Sequence, residues 1–541
     1  MDALIVASLA LPLLLALLVA QPRSRAVALS LAPWAPLPAL ALALAAREPL
    51  GLDLPDVLTG LQLGVDDSGR VFLLFTSLIW LAAGGFARGW FADDPRRARF
   101  MVFFLLTQAG NLGACLALDA AGFYAFYALM SFAAYGLVAH DGDTAARRAG
   151  RVYLVLAVAG EMLILSGLLL ALGLAPDHPW AVACLVLGFG VKVGLPLLHV
   201  SLPLAYAAAP IPAAAVLAGA MIKAGVLGWL RFLPLGAAAL PDSGQLLMAT
   251  GALMIVGGSV IGLAQRQPGA ILAYSSVAQM GHFALGVGAG LTAPALWPPI
   301  AAALVVYAAH HALAKAALFL GVGVVARHGA SRAHLAGLTL PALALAGAPF
   351  TSGMLAKLGL KSALAGLPAP WADALPLLLV AGALGSALLM ARLLVQARET
   401  PVVGDAPTAL WAPWLLALAG VAGLTAGLAP FASWSATLQP GALLAALWPV
   451  FAALALTLAA LKLRLGAPRI PAGDLLVPIE RLLAAIVRLH PPRAARAARV
   501  AGTRDPSPAA PGIAPARVAL RRCAVVGAAR GFRVPADILR P

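Results

Sequence analysis

Lysine is the residue type whose distribution in this sequence points most directly to chemistry. Of the 37 basic side chains only six are lysine, and the rest are arginine. Four of the six lie within apolar stretches: Lys192, Lys223, Lys315 and Lys357. Arginine stays protonated in the environments that proteins offer, whereas burial can drive the proton off a lysine. A lysine in an apolar stretch therefore indicates a position that needs reversible proton binding and not a permanent charge.

Three more ionisable residues could exchange protons with these lysines. Glu161 is the only carboxylate predicted deep in a membrane span, and His310 and His311 precede Lys315. His311 and Lys315 are one helical turn apart on the same face, and His310 is rotated about 100° away. A charge at the bilayer centre costs roughly 2.5 to 3.5 kcal/mol on insertion scales, so such residues are rare and usually functional. The whole set would form a proton path that titrates as one coupled system.

Each of these residues also has a purely structural interpretation. Glu161 could be a packing residue with a local partner, and His311 and Lys315 could be hydrogen-bonded core. Lys361 follows Lys357 by four residues and lies nearer the helix end. It could be a snorkelling anchor as readily as a proton exit group. The presence of lysines on several separate helices favours the proton path over these local explanations.

Motifs for cofactors and metals are absent from the sequence. The three cysteines, Cys115, Cys184 and Cys523, have no CxxC or metal-ligand spacing. There is no Walker A motif, and no GxGxxG between a strand and a helix. The sequence therefore predicts no metal site, no redox centre and no nucleotide or other cofactor.

Membrane helices must position the ionisable residues. The 541 residues are 62% apolar and 11% charged, with a mean hydropathy of +0.94. A bilayer core is about 30 Å thick and takes roughly 20 apolar residues per helix. We therefore expect an all-α polytopic membrane protein with about 14–15 transmembrane helices. The predicted spans begin near residues 2, 26, 71, 100, 120, 152, 180, 213, 245, 270, 298, 333, 375, 408 and 441.

The loops between these spans divide by charge. One set carries Arg23, Arg25, Arg96, Arg97, Arg99, Arg147, Arg148, Arg151, Arg266, Arg327, Arg332, Arg392, Arg398, Arg464 and Arg469. The other set carries most of the aspartates and only Arg47, Arg70 and a marginal Arg231. By the positive-inside rule the N-terminus is outside and the C-terminus is cytoplasmic.

Two predicted spans are interrupted by proline or glycine. Lys192 is followed by Pro196 and Pro203, and Lys357 is preceded by Pro349 and Gly353. Such interruptions free backbone groups that lipid cannot satisfy, so these segments belong inside the protein or along a watery path. Two interrupted, lysine-bearing spans that lie five helices apart suggest an internal repeat.

The C-terminal segment carries most of the net charge of +16. Twelve arginines against two aspartates follow position 480, a net charge of +10. Residues 473–489 have apolar residues at helical spacing and predict an interfacial helix. The tail is expected to bind anionic lipid or a partner subunit, and not nucleic acid.

Four segments resemble one family. They are GFGVKVGLPLLHVSLPLAYAAAPIPAAAVLAGAMIKAGVLGWLRF (188–232), LAYSSVAQMG (272–281), HHALAKAALFLGVG (310–323) and LAGAPFTSGMLAK (345–357). In order and spacing they resemble the antiporter-like, proton-translocating subunits of respiratory complex I, group 4 membrane hydrogenases and multisubunit sodium/proton antiporters. The resemblance extends from about residue 70 to 400. It implies two inverted five-helix repeats with broken helices 7 and 12.

The resemblance also implies roles and an organisation. Lys192 would be the proton-accepting lysine of the first half channel, and Lys357 the terminal lysine of the second. Lys223 and the His311/Lys315 turn would connect them, and His199 matches the histidine after the first broken helix. The implied segments are N-terminal helices (1–99), first half channel (100–240), second half channel (241–400), C-terminal helices (401–470), and interfacial helix with basic tail (471–541).

The sequence departs from the family pattern at several positions. Ala128 replaces the glutamate of the usual Phe-Trp-Glu-Leu-Met on the fifth helix, so we hypothesise that Glu161 stabilises protonated Lys192 instead. Leu204 and Tyr206 replace the acid and the histidine of LPDAH, and Gly269 replaces a common basic residue.

The expected function is that of a proton-translocating membrane subunit. The complex would be an NADH:quinone oxidoreductase, a membrane hydrogenase or a cation/proton antiporter, in a bacterial inner membrane. Its partners would be other membrane subunits, lipid and protons, with sodium as an alternative ion. Two other hypotheses are a proton-conducting partner of an inorganic-carbon uptake system and a non-pumping scaffold subunit.

Overall fold

The computed structural model describes residues 1–57, 60–428, 438–464, 470–473 and 476–477, and most of them are helical. The helices are α1 (Asp2–Ala20), α2 (Arg25–Leu31), α3 (Leu37–Ala45), α4 (Asp67–Trp90), α5 (Arg97–Leu116), α6 (Ala120–Val138), α7 (Thr144–Gly173), α8 (Pro179–Val193), α9 (Ser201–Ala208), α10 (Ile211–Val216), α11 (Ile222–Phe232), α12 (Pro241–Leu263), α13 (Pro268–Thr292), α14 (Trp297–His328), α15 (Arg332–Ala346), α16 (Ser352–Ala363), α17 (Trp371–Arg398), α18 (Thr408–Leu428) and α19 (Pro440–Lys462).

Thirteen helical segments in the described residues are long and apolar enough to cross a membrane. Together with the interrupted segments α8–α9 and α15–α16, they agree with the predicted 14–15 spans. The protein is an all-α polytopic membrane protein. The predicted interfacial helix and basic tail lie outside the described residues, apart from residues 473, 476 and 477.

The core lies around α13 and α14. The most apolar part of α13 is buried all round, and that of α14 is 94% buried, whereas that of α19 is only 11% buried. Helices α13 and α14 are therefore enclosed by protein, whereas α19 has most of its surface exposed. The lysine-bearing segments 310–323 and 211–232 belong to this enclosed region.

Glycines bring α12 and α13 into backbone contact. Gly244, Gly251 and Gly258 follow one another at seven-residue spacing along one face of α12. A Cβ atom at Gly251 would lie 2.6 Å from the Gly281 carbonyl oxygen, and one at Gly281 would lie 2.5 Å from that of Gly251. Small residues at such a face let membrane helices pack closely without a hydrophobic driving force. Helices α12 and α13 are therefore in close contact, and α13 packs in turn against α14, which carries Lys315.

A short hairpin joins α3 to α4 and was not predicted. Strands β1 (Leu50–Leu54) and β2 (Leu61–Val65) pair antiparallel. The backbone N–H of Gln62 also donates to a carboxylate oxygen of Asp119 at 2.9 Å, which fixes the hairpin to the turn before α6. The alternation in LGLDL and LQLGV is the period-two pattern of a strand, so the signal was present in the sequence.

The chain leaves the α-helical conformation in the same way after α8 and after α15, the first helices of the two interrupted segments. Gly194 follows α8 with φ 86° and Gly347 follows α15 with φ 82°. Three residues later, Leu197 and Phe350 also have positive φ values, of 71° and 61°. Glycine takes such a conformation without steric penalty, so it suits the end of a helix. The likeness of the two segments supports the predicted inverted repeat, which stays a prediction.

Loop contacts join helix ends that the charge pattern assigned to one side. A guanidinium nitrogen of Arg96 donates to the Asp141 carbonyl at 2.9 Å, and Arg99 donates to the His140 carbonyl at 2.6 Å. Burial lowers the pKa of His140, and the hydrogen bond that its ring donates to the Asp94 carboxylate opposes that change. Arg327 binds the Trp90 carbonyl at 2.8 Å, which adds the end of α14 to the same side.

Arg231 ties together ends on the other side. Its guanidinium donates to the Ala117 carbonyl at 2.5 Å and contacts an oxygen of Asp66 at 3.1 Å. Arg231, which was a marginal member of its set in the charge pattern, therefore connects α11 to the start of α4 and the end of α5.

We expect Gly353→Ala to destabilise the protein and Gly359→Ala, on the same helix, to leave it nearly unchanged. A Cβ atom at position 353 would overlap the Ala344 carbonyl oxygen at the end of α15, whereas one at position 359 meets no atom within 4 Å. Overpacking of this kind costs about 1–3 kcal/mol. The midpoint of thermal unfolding in detergent measures the difference, and equal midpoints for the two variants would contradict the close packing.

Candidate functional site

Lys192 lies at the end of α8 and is partly buried. Its Nζ atom donates to the Ser131 hydroxyl at 2.9 Å and to the Tyr153 hydroxyl at 3.1 Å. The same atom lies 5.4 Å from the ring centre of Tyr127 and 5.2 Å from that of Tyr153. Hydroxyls and aromatic faces stabilise an ammonium group without neutralising it. The Lys192 amine is therefore held by two hydroxyls and two aromatic rings that can accommodate an ammonium group.

Glu161 lies beside the Lys192 ammonium group. It is 1% exposed and lines a cavity of about 30 Å³ together with Lys192, Ser131 and Tyr153. Glu161 is within electrostatic range of Lys192 and within hydrogen-bonding reach of Ser131. Its Oε2 atom has no hydrogen-bond partner among the described residues. A cavity of this size and polarity can hold a water molecule between the two groups.

Ser131 connects the carboxylate to the lysine through one hydroxyl. Its oxygen accepts from Lys192, and its only proton points to the Tyr127 carbonyl at 2.9 Å. A hydroxyl has one donor and two acceptor positions, so turning this proton to Glu161 would break the bond to Tyr127. The site therefore has two alternative hydrogen-bond arrangements that differ by one rotation.

Lys223 lies in the first turn of α11 and is fully buried. Its Nζ atom donates to the Ala218 carbonyl at 2.9 Å. Residues Leu217–Met221 form a π-helical turn between α10 and α11. A π-helical turn displaces carbonyls from the regular helical pattern and is frequent at functional sites. The turn thus supplies the backbone oxygen that holds Lys223.

Lys315 lies in the middle of α14 and is also fully buried. Its Nζ atom donates to the Leu272 carbonyl on α13 at 2.7 Å. His311, one turn before it, has no hydrogen-bond partner at either ring nitrogen among the described residues. His310 contacts the Ser352 hydroxyl at 2.9 Å, so the neighbouring histidine reaches α16.

Lys357 lies in α16 beside the end of α15. Its Nζ atom donates to the carbonyls of Ala346 at 2.8 Å and Leu345 at 3.1 Å, in the last turn of α15. The last carbonyls of a helix lack intrahelical partners and carry partial negative charge, which favours an ammonium group. Gly347 leaves room for it, because a Cβ atom there would lie 2.9 Å from Nζ.

The predicted ionisable residues from Glu161 to Lys357, here called the row, form two sets of electrostatic neighbours. Glu161 is within electrostatic range of Lys192, Lys223 of Lys315, and His310 of both Lys223 and Lys357. The two central lysines are fully buried, whereas Lys192 and Lys357 at the interrupted helices are partly accessible. The row therefore has enclosed middle members and more accessible ends.

The two remaining predicted residues lie beside this row. His199 is 6% exposed in the turn after α8, with its ring centre 6.0 Å from that of Tyr274. Lys361 is exposed in the last turn of α16, and its ammonium group takes no part in the buried row.

Sequence reasoning missed the hydroxyl and amide groups around the row. Tyr307 donates to Gln279 at 2.5 Å, and Gln279 donates to the Ser386 hydroxyl at 2.7 Å. His282 stacks on Tyr307 with ring centres 5.5 Å apart and is 1% exposed. His282 could have been found from the sequence, because it is a histidine in the middle of an apolar helix. In the described part of the chain, no cluster of His, Cys, Asp and Glu could hold a metal ion.

Residues 117–388 match the family described as "NADH:quinone oxidoreductase/Mrp antiporter, TM". The chain belongs to this family. All six residues of the predicted proton path lie inside the matched region: Glu161, Lys192, Lys223, His311, Lys315 and Lys357.

Relatives come from several kinds of membrane complex. Over 290 residues the chain is 31% identical to hydrogenase-4 component B of Escherichia coli, covering 49% of this chain and 43% of the relative. It is 32% identical over 289 residues to NADH-quinone oxidoreductase subunit N of Desulforudis audaxviator, covering 49% and 56%. It is 27% identical over 348 residues to the putative antiporter subunit mnhA2 of Staphylococcus haemolyticus, covering 56% and 43%. The matches span about half the length of these relatives.

Two solved structures share the fold of this antiporter family member. The Mrp complex from Dietzia sp. aligns with a TM-score of 0.70 at 21% identity, covering 92% of this chain and 60% of that one. The membrane-bound sulfane sulfur reductase, an archaeal respiratory membrane complex, aligns with a TM-score of 0.67 at 21% identity, covering 83% and 98%.

Proposed function

We propose that the protein is a proton-translocating, antiporter-like membrane subunit of a multisubunit complex. The complex would be an NADH:quinone oxidoreductase, a membrane hydrogenase or a cation/proton antiporter, as in the relatives named above. The single observation that carries the proposal is the buried row of ionisable groups from Glu161 to Lys357. An apolar protein tolerates such groups only where they serve transport or are fully paired, and the carboxylate and His311 are not fully paired in the described residues.

The proposed cycle begins at the Glu161 and Lys192 pair. The charged carboxylate favours protonated Lys192, because an opposite charge nearby stabilises the ammonium form. Weakening this attraction, through a change in the pairing of Glu161, releases the proton of Lys192 toward Lys223. The proton then passes Lys315 and the two histidines and leaves from Lys357. No residue in this path is an arginine, which could not give up its proton.

A non-pumping scaffold is the second candidate function. The observation that favours it is Ala128, which stands where the family pattern has a glutamate. Glu161 can take the place of that glutamate, because it lies on α7 and lines the same cavity as Lys192. A scaffold would have no need for two fully buried lysines.

The surroundings of the subunit are part of the same proposal. We infer other membrane subunits as partners, a bacterial inner membrane as the location, an outside N-terminus and a cytoplasmic C-terminus. Anionic lipid or a partner subunit would meet the basic tail, whose arginines follow position 480. Protons are the proposed ion, with sodium as the exchanged ion if the complex is an antiporter.

The experiment that tests the proposal is proton movement by the purified native assembly in proteoliposomes. With the wild-type chain, the driving reaction or a sodium gradient should build a pH gradient that a protonophore abolishes. Lys315→Gln should reduce that gradient, because it removes the central proton carrier from the row. A gradient that is the same in both assemblies would favour the scaffold.

A further inference from the structure

A second small cavity separates Lys192 from the π-helical turn before Lys223. It measures about 20 Å³ and is lined by Lys192 and Tyr153 on one side and by Leu217 and Met221 of the π-helical turn on the other. Lys192 and Tyr153 also line the cavity that holds Glu161, so the two cavities meet at the lysine. A volume of this size accepts one water molecule. Such a water would lie between Lys192 and the turn that holds Lys223.

Tyr206 spans the boundary between this second cavity and the π-helical turn. It is 5% exposed, lies on α9 and lines the cavity. Its hydroxyl donates to the Leu217 carbonyl at 3.2 Å. The ring is held edge-on against Phe319 of α14, with ring centres 5.6 Å apart. Tyr206 therefore links the interrupted segment after Lys192 to the first residue of the turn.

Tyr206 and Lys223 hold two successive carbonyls of the same turn. The Leu217 carbonyl accepts the Tyr206 hydroxyl and also the backbone N–H of Ile222. The next carbonyl, that of Ala218, accepts from Lys223. A shift of the Leu217 peptide group must move the adjacent Ala218 carbonyl, because the two share one backbone. The position of Lys223 is thus coupled to the Tyr206 hydrogen bond.

We propose that Tyr206 is a positioning residue for proton transfer from Lys192 to Lys223. By fixing the π-helical turn, it sets the position of the Ala218 carbonyl and so of the Lys223 amine that is bonded to it. Lys192 gives its proton to the cavity water, and the water gives a proton to neutral Lys223. Tyr206 keeps its own proton, since the carbonyl that it contacts is an acceptor only. The inference rests on the proposed function, and it concerns a position where the sequence departs from the family pattern.

The test compares Tyr206→Phe with wild type for proton flux in proteoliposomes, in H2O and in D2O. The phenylalanine keeps the ring contact with Phe319 and removes only the hydroxyl. We expect flux to fall by about tenfold to a hundredfold, the usual effect of misplacing a reacting group by an ångström. We also expect a larger solvent isotope effect, because transfer from Lys192 to Lys223 becomes rate-limiting. A merely structural loss would lower the flux without changing the isotope effect.

Controls separate failure of this inference from failure of the proposed function. Tyr135→Phe, on α6, removes a tyrosine hydroxyl elsewhere and should leave flux and isotope effect unchanged. Lys223→Gln should stop flux if the proposed function holds. Wild-type flux and isotope effect in Tyr206→Phe, with flux lost in Lys223→Gln, would overturn the role of Tyr206 alone. Wild-type flux in Lys223→Gln would overturn the proposed path itself.

Discussion

Lys192→Arg is expected to stop proton movement almost as completely as Lys192→Ala. A guanidinium stays protonated in proteins, so it can occupy the site but cannot release a proton to the next group. Arginine is also larger and planar, and the Ser131 and Tyr153 hydroxyls that hold Nζ line a cavity of only about 30 Å³. We expect flux to fall by at least about a hundredfold, which distinguishes a cycling proton from a fixed charge.

The matched control for this substitution is Lys462→Arg. Lys462 is exposed at the end of α19 and lies far along the chain from the buried row. The same chemical change there should leave flux at the wild-type level. The measurement is the initial rate of dye-reported pH change in proteoliposomes that hold equal amounts of assembled complex. Normal pumping by Lys192→Arg would show that deprotonation of Lys192 is not part of the cycle.

Glu161→Gln is expected to slow proton flux by about tenfold or more, with assembly preserved. Glutamine has nearly the same shape and keeps hydrogen-bonding capacity toward Ser131, but it removes the charge that favours protonated Lys192. An opposite charge within a few ångströms typically changes a protonation equilibrium by one to three powers of ten. The substitution therefore isolates the electrostatic contribution of Glu161 from its packing, since the residue is almost fully buried.

The comparison for Glu161→Gln is Glu399→Gln, an exposed glutamate directly after α17. Both variants lose one negative charge, and only the first should lose flux. Flux measured over a range of external pH values should show the Glu161→Gln defect where the wild-type carboxylate is charged, and the defect should shrink toward acid pH, where wild type loses the same charge. If Glu161→Gln pumps like wild type in a fully assembled complex, this carboxylate does not replace the one missing at Ala128.

The positions of the lysines could be predicted from the sequence because a charged residue type conflicts with apolar neighbours along the chain. An ammonium group in an apolar stretch carries a large free-energy penalty, so Lys223 and Lys315 are visible without any structure. The interruptions near Lys192 and Lys357 were visible for a similar reason, since proline and glycine break the hydrogen bonds of a helix. Charged residues and helix breakers are so rare within membrane helices that each one can be identified individually.

The hydroxyl groups around Lys192 could not be predicted in the same way. Ser131 donates to the carbonyl four residues earlier, which is the ordinary behaviour of serine in a helix and carries no signal of function. Tyr153 lies on α7, and nothing in its neighbours along the chain marks its contact with Lys192. Contacts between helices depend on rotation and depth, which apolar periodicity does not define when a helix is apolar on all faces.

The π-helical turn was also beyond sequence reasoning. The segment Leu217–Met221 reads as uninterrupted small and apolar residues, without a proline or charge to mark a change of helix type. The Tyr206 hydroxyl from α9 and the Lys223 amine bind two successive carbonyls of the turn, so one of the contacts that stabilise it comes from another helix. His282, in contrast, stands out in the sequence, but its stacking partner Tyr307 lies on another helix and could not be identified.

The most direct test of the central claim is the number of protons moved per turnover of the driving reaction, in wild type and in Lys315→Gln. Lys315 is fully buried and, within the described part of the chain, its ammonium group is bonded to the Leu272 carbonyl, so its substitution interrupts the row without touching a surface. We expect the driving reaction to continue in Lys315→Gln while fewer protons move per turnover, by the share that this subunit carries. An unchanged number of protons per turnover in a fully assembled Lys315→Gln complex would contradict the central claim.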